Sequence, residues 1–149
     1  MLRLSRKTAL ALEAVLDVAY NARPHPVQSR DITERQGIPA RYLEQVLQQL
    51  VREGILKGVR GPKGGYTLAR ERRRVTLGEI VRVVSRMEAE EDDTVSTAEL
   101  GEKVIQPIWR DVQESLLARL DGITMEDLCA QAERQGIRRA GDMDSDFTI

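Results

Sequence analysis

The chain has 149 residues, 32% of them charged and only 3% aromatic, with a formal net charge of −1. Such a length holds one domain with a real core plus an extra element, and the scarcity of aromatics favours helices with aliphatic interiors. No apolar run reaches the roughly eighteen residues of a membrane helix, and the single cysteine, Cys129, excludes an intrachain disulfide.

The near-zero charge conceals a strong polarity. Residues 1–86 carry 17 Lys and Arg against 8 Asp and Glu, a net of +9, whereas residues 87–149 carry 6 against 16, a net of −10. A first part so basic is suited to a polyanion.

The opening "MLRLSRKTALALEAV" sets cations before apolar residues, as a signal peptide does. However, Glu13 and Asp17 interrupt the run at helical spacing and no small-residue cleavage site follows, so a cytoplasmic protein is expected. A first helix is predicted from Ser5 to Asn21, with Leu12, Val15, Leu16 and Ala19 as its inward stripe and Pro24 and Pro26 ending it. "SRDITERQG" predicts a short second helix with Ser29 as N-cap, Ile32 as inward anchor and Gly37 as its stop. Pro39 then opens a third helix, its missing N–H unused in the first turn. Leu43, Val46, Leu47 and Leu50 form its apolar stripe, and Gly54 ends it.

Two helices joined by a tight glycine turn behind a supporting helix describe a helix-turn-helix. The next stretch, "RGPKGGY" (60–66), puts three glycines, a proline and two cations into seven positions, flanked by "ILKGV" and "YTLA". That is a hairpin with a longer loop, and its cations Arg60 and Lys63 fall at the tip. A basic hairpin behind a helix-turn-helix is a wing. The fold class is therefore mostly α: a winged helix-turn-helix with a small β-hairpin wing, plus a long dimerisation helix.

That last helix is preceded by "VTLGEIVRVVSRM", with a Thr76–Glu79 capping box, and by an acidic, apolar-poor linker over 88–100. It is predicted from about Glu102 to Asp121, with apolar positions Val104, Ile105, Ile108, Val112, Leu116 and Leu120 and with Trp109 on a neighbouring flank. A stripe outside the basic module needs a partner, and a second copy is the economical one. Thr124 with Asp127 caps a final helix that stops near Gly136, and "IRRAGDMDSDFTI" shows no period. The expected organisation is 1–87 DNA-binding, 88–100 linker, 101–136 dimerisation and 137–149 tail.

In a helix-turn-helix the second helix presents its start to the major groove. The outward residues here are Ala40, Arg41, Tyr42, Glu44, Gln45, Gln48 and Gln49. Arg41 can pair with guanine or phosphate, Gln45 with adenine, and Glu44 can accept from the cytosine amino group. Double-stranded DNA is thus the expected partner, with Arg41, Tyr42, Glu44, Gln45, Gln48, Arg60 and Lys63 as the contact set.

"YLEQVLQQLVREGILKGVRGPKGGYTLAR", "VTLGEIVRVV" and "IWRDVQESLLARLDGITMEDL" resemble the Rrf-type bacterial winged-helix regulators, a likeness running from Leu4 to about Leu128. That family includes an iron–sulfur cluster regulator, a nitric-oxide-sensitive repressor and the cysteine-metabolism repressor CymR. The resemblance implies a homodimer and DNA contacts at Arg41, Glu44, Gln45 and Arg60. It also exposes a departure: cluster-binding members place three cysteines before the long helix, where this chain has "EAEEDDTVSTAELGEKVIQ". A cluster needs several thiolates or substitutes, and only Cys129 and His25 are on offer, so no cofactor or metal is expected. In character the chain is closest to the cluster-free CymR.

The ending "DMDSDFTI" offers a lead on the sensor. It looks like the C-terminal peptide by which serine acetyltransferase enters the active site of cysteine synthase (O-acetylserine sulfhydrylase), an enzyme the cysteine-metabolism repressor also partners. Asp146, Phe147, Thr148 and Ile149 are its candidate docking residues, since backbone amides can capture a terminal carboxylate. The alternative is a regulator of the same family sensing a metabolite or redox signal without that enzyme. No serine–histidine–acid set, phosphate loop or metal-ligand cluster supports an enzyme.

Overall fold

The computed structural model describes residues 4–23, 25–89 and 98–140. Helix α1 (Arg6–Asn21) starts where the Ser5 hydroxyl accepts from the Thr8 N–H at 3.1 Å. Its inner face keeps Val15 and Ala19 of the expected stripe but not the leucines. Ala11, Ala14, Val15 and Val18 are fully buried, while Leu12 and Leu16 lie half-exposed at the margin. Alanines let the neighbouring helices approach α1 closely, so the small residues take the centre and the leucines cover its flanks.

Helix α2 (Ser29–Gln36) has Gln28 at its N-cap position, without a side-chain capping bond, and Ser29 is already helical. Gly37 ends it at φ 66°, a left-handed angle that a β-carbon makes costly. Pro39 occupies the N-cap of α3 (Ala40–Arg52), one position before the first helical residue where the sequence places it. The stripe Leu43, Val46, Leu47 and Leu50 is wholly buried. Four such side chains are worth about 8 kcal/mol of transfer free energy as an upper bound, enough to fix the roll of α3 about its axis.

Strands β1 (Leu56–Val59) and β2 (Gly65–Leu68) pair antiparallel, Leu56 opposite Leu68 and Val59 opposite Gly65. The hairpin is fastened sideways by Val27, which exchanges backbone hydrogen bonds with Tyr66 at 3.0 and 2.7 Å. Gly65 permits that approach, since a β-carbon there would lie 2.4 Å from the Val27 carbonyl oxygen. Helix α4 (Leu77–Ala89) opens with the expected Thr76–Glu79 box, both reciprocal bonds being present.

The long-helix segment begins irregularly. Gly101–Ile105 winds as a π-turn before α5 (Gln106–Leu120), where a regular α-helix from Glu102 is expected from the sequence. Pro107 supplies the reason: its ring and missing N–H disfavour the i→i−4 bond to residue 103, and a wider turn accommodates both. Arg82 of α4 grips Asp121 at the end of α5 with two hydrogen bonds of 2.5 and 2.8 Å. That grip lowers the Asp121 carboxyl below its ordinary value, the hydrogen bond outweighing desolvation.

Helix α6 (Met125–Arg134) carries the Thr124–Asp127 capping box. It returns the chain to the first module, with Leu77 N–H donating to Ile123 O at 2.9 Å and Met125 N–H to Val75 O at 2.8 Å. Met125, Cys129 and Ala132 join the same buried cluster as Ala11, Val15 and Val18. The core therefore runs across the divisions drawn at residues 87 and 101. Beyond α6, Tyr20 donates its hydroxyl to the Ile137 carbonyl, and the Arg139 guanidinium stacks 5.1 Å from the centre of the Tyr20 ring.

Candidate nucleic-acid interface

The α2–turn–α3 unit is held by a buried carboxylate. Asp17 of α1 is 0% exposed and accepts from Arg35 Nε at 2.9 Å, Arg35 Nη2 at 2.8 Å and Gln36 Nε2 at 2.8 Å. The hydrogen bond to Asp17 raises Arg35 above its already high value, against the opposing cost of partial burial. This clasp holds the last two residues of α2, just before Gly37, so it sets where the chain turns into α3.

With the apolar stripe of α3 inward, Arg41, Glu44 and Gln48 are exposed at i, i+3 and i+7 and so share one face. Gln45 is also exposed, on the flank toward α4, beside Val84, Met87 and Glu88. Tyr42 departs from the outward set. It is half-buried, and its hydroxyl donates to the Lys7 carbonyl at 2.5 Å, so packing against α1 claims its ring. Gln49 is half-buried as well and donates to Glu53, which itself pairs with Arg86 of α4 at 3.1 Å.

Arg60 and Lys63 are both exposed at the wing tip. Between the tip and the start of α2 lies an open furrow lined by Gln28, Arg30, Val59, Gly64 and Tyr66. Gln28 spans it, accepting from Arg30 Nη2 at 2.9 Å and donating to the Pro62 carbonyl at 3.4 Å. Arg30 is missing from the sequence-based set. It sits in the first turn of α2, where helix dipole and side chain favour an anion together, but its place beside the wing comes only from the fold.

Helix α5, with two arginines against two carboxylates, carries no net charge. Glu114, Leu117 and Ala118 line its side toward α4. On the other side Val104, Ile105, Ile108, Trp109, Val112 and Leu116 are exposed, with Ile105 61% and Ile108 60% accessible. Leu120 is half-exposed. Scattered surface leucines mean little, whereas a contiguous apolar stripe is the kind of surface that marks interaction sites. Asp146, Phe147, Thr148 and Ile149 lie outside the described residues, as does most of the acidic linker.

Comparison with known proteins identifies the family. A family model, "Rrf2: Iron-dependent Transcriptional regulator", matches residues 4–131. The chain belongs to the Rrf2 family. The HTH-type transcriptional regulator IscR of Klebsiella pneumoniae is 37% identical over 134 residues, covering 89% of this chain and 82% of that one. The structure of T. potens IscR superposes with a TM-score of 0.72 at 32% identity, over 95% of this chain and 96% of that one. CymR (YrzC), described as the global cysteine regulator of B. subtilis, gives a TM-score of 0.66 at 27% identity, over 88% and 98% of the two chains. This Rrf2 chain is thus a DNA-binding transcriptional regulator and not an enzyme, and no helix among its described residues is long and apolar enough to cross a membrane.

The family description names iron, and the donors of this Rrf2 chain do not fit an iron–sulfur centre. Its whole sequence holds one cysteine and one histidine. Cys129 is 2% exposed inside the core under α1, and His25 is exposed in a loop. A thiolate ligand sphere needs several cysteines around one accessible point, and among the described residues no three His, Cys, Asp or Glu side chains gather to hold a metal.

Proposed function

We propose that two copies of the chain pair along α5 and bind a palindromic operator as a repressor that carries no iron–sulfur cluster. Arg41, Glu44, Gln45 and Gln48 of each α3 read base edges in the major groove, while Arg60 and Lys63 of each wing meet the backbone or minor groove. The observation that carries the reading is the fixed roll of α3. Four fully buried residues lock one side, leaving Arg41, Glu44 and Gln48 together on the other. Glu44 is the specificity device: a carboxylate is repelled by phosphate unless a cytosine amino group lies opposite it.

Fluorescence anisotropy on a palindromic duplex across a salt series tests this. Arg60→Ala should weaken binding to every sequence and flatten the salt slope, because one fewer counterion is released per contact removed. Glu44→Ala should leave the slope intact and relax base choice at one position per half-site, by about 1–3 kcal/mol of lost discrimination. If both variants behave as the parent does, the face is wrong.

The same proposal extends to the signal. The regulator controls cysteine or sulfur metabolism through a complex with cysteine synthase, docked on Asp146, Phe147, Thr148 and Ile149. Support comes from the DFTI ending and from a donor set of one cysteine and one histidine, too few for a thiolate-held cluster. Calorimetry of a synthetic peptide of residues 140–149 against cysteine synthase should give heat that the enzyme's amino-acid substrate abolishes. Changing Ile149 to Ala should weaken the peptide far more than changing Asp142. No heat at millimolar peptide would remove the enzyme from the account and leave the DNA reading standing.

A further inference from the structure

The wing has a second basic feature at its other end. Register places Leu68 opposite Leu56, the end of the hairpin remote from Arg60. There Thr67 and Leu68 of β2, the α1 end with Ala22 and Arg23, and Arg70 to Arg72 enclose a cavity of about 150 Å³. Its space is comparable to about five waters. Three guanidinium-bearing side chains, Arg23, Arg70 and Arg72, line it.

Their acidic neighbours are committed elsewhere. Arg70 binds Glu79 at 3.0 Å and the Arg74 carbonyl at 3.1 Å, and Glu71 on the rim holds Arg73 at 2.6 Å. The side chains of Arg23 and Arg72 make no ion pair or hydrogen bond among the described residues, their backbone bonds aside. Like charges around one small cavity repel, and an anion between them removes the repulsion. The wider hollow between α4 and α5, about 500 Å³, has no such imbalance, since its Arg82 and Arg86 are paired with Asp121 and Glu53.

We infer that this cavity is a binding site for a small oxyanion, a phosphate or carboxylate group held by Arg23 and Arg72 with the Thr67 hydroxyl on its wall. The planar fork of arginine matches either group with paired hydrogen bonds. Two sources share that chemistry. One is a free metabolite. The other is the chain's own acidic stretch, because Ala140 N–H donates to Asn21 Oδ1 at 3.0 Å, two residues before Arg23. Residues 141–149, which include Asp142, Asp144 and Asp146, start there and span at most about 30 Å. An occupant in either case ties β2 to α1, and with it the base of the wing. The inference stands on the cavity and is independent of how α3 meets DNA.

Inorganic phosphate is the probe, titrated into the full-length protein by calorimetry and thermal unfolding, with chloride at matched ionic strength as reference. Phosphate should raise the melting temperature over chloride. The double variant Arg23→Ala/Arg72→Ala should bind phosphate about tenfold or more weakly, while Arg134→Ala, on α6, should bind as the parent. Both replaced side chains reach solvent, so folding is checked simply by the variant's melt in chloride. Phosphate binding that survives in the double variant, or is absent in the parent and in the tail variant alike, overturns the site. The tail variant Asp142→Asn/Asp144→Asn/Asp146→Asn separates the sources. It should bind added phosphate about tenfold more tightly if those carboxylates occupy the cavity, and equally well if the occupant is free.

Discussion

A chain carrying Ile108→Asp and Leu116→Asp should elute as a monomer and bind a palindromic duplex at least about a hundredfold more weakly than the parent. Both positions lie on the open side of α5, 60% and 51% accessible, so neither change touches the core of one copy. In a two-fold interface each substitution appears twice, and four carboxylates would enter one apolar seam. Every buried isoleucine or leucine forfeited costs about 1.5–3 kcal/mol, and each desolvated carboxylate adds to that. The DNA effect follows from linkage: once one winged helix is bound, its tethered partner meets the second half-site at high effective concentration, and a monomer has no such advantage. Light scattering after size exclusion reads the mass, and anisotropy at fixed salt reads the affinity. A variant that remains dimeric and binds like the parent would show that the copies pair elsewhere.

Which parts were legible in the sequence depended on whether a residue acts through its neighbours along the chain. The stripe of α3, the capping boxes at Thr76 and Thr124, the stop at Gly37 and the hairpin from Leu56 to Leu68 are local patterns, and each was readable. Boundaries that hinge on a single residue shifted. Ser29 resembles an N-cap, yet Gln28 takes that place because the bridge between Val27 and Tyr66 fixes the preceding backbone as extended. On the inner face of α1, hydrophobicity alone favours Leu12 and Leu16. Tertiary crowding chose Ala11 and Ala14 instead.

The candidate site divided in the same way. Exposure of Arg41, Glu44 and Gln48 follows from burial of the opposite stripe, so periodicity alone locates them. Tyr42 is adjacent in sequence, but its ring belongs to the contact with α1, which no local pattern announces. Arg30 and the basic cavity of Arg23, Thr67, Arg70 and Arg72 were invisible for a stronger reason. Their parts come from α1, α2, β2 and the segment after it, and only folding brings them together. Likewise Asp17 reads as an interruption of an apolar stretch, whereas in the fold it is the residue that fastens α2.

Removing Arg35 should therefore destabilise the protein more than removing the whole ion pair. In Arg35→Ala the Asp17 carboxylate stays fully buried with Gln36 as its remaining hydrogen-bond donor among the described residues. Leaving a buried charge without its counter-ion costs about 3 kcal/mol. For a chain of this size that lowers the melting temperature by about 10 °C. The double variant Asp17→Leu/Arg35→Met replaces both charges with apolar groups of similar bulk, and such exchanges are often neutral. It should melt well above the single variant, an ordering opposite to simple additivity. Melts at one protein concentration check it, since a dimer's melting temperature depends on concentration. Because the clasp lies at the end of α2 just before the turn into α3, Arg35→Ala should also weaken operator binding at temperatures where it is fully folded. If the single variant melts with the parent, or the double variant melts below the single, Asp17 is not the charge that holds the recognition helix in place.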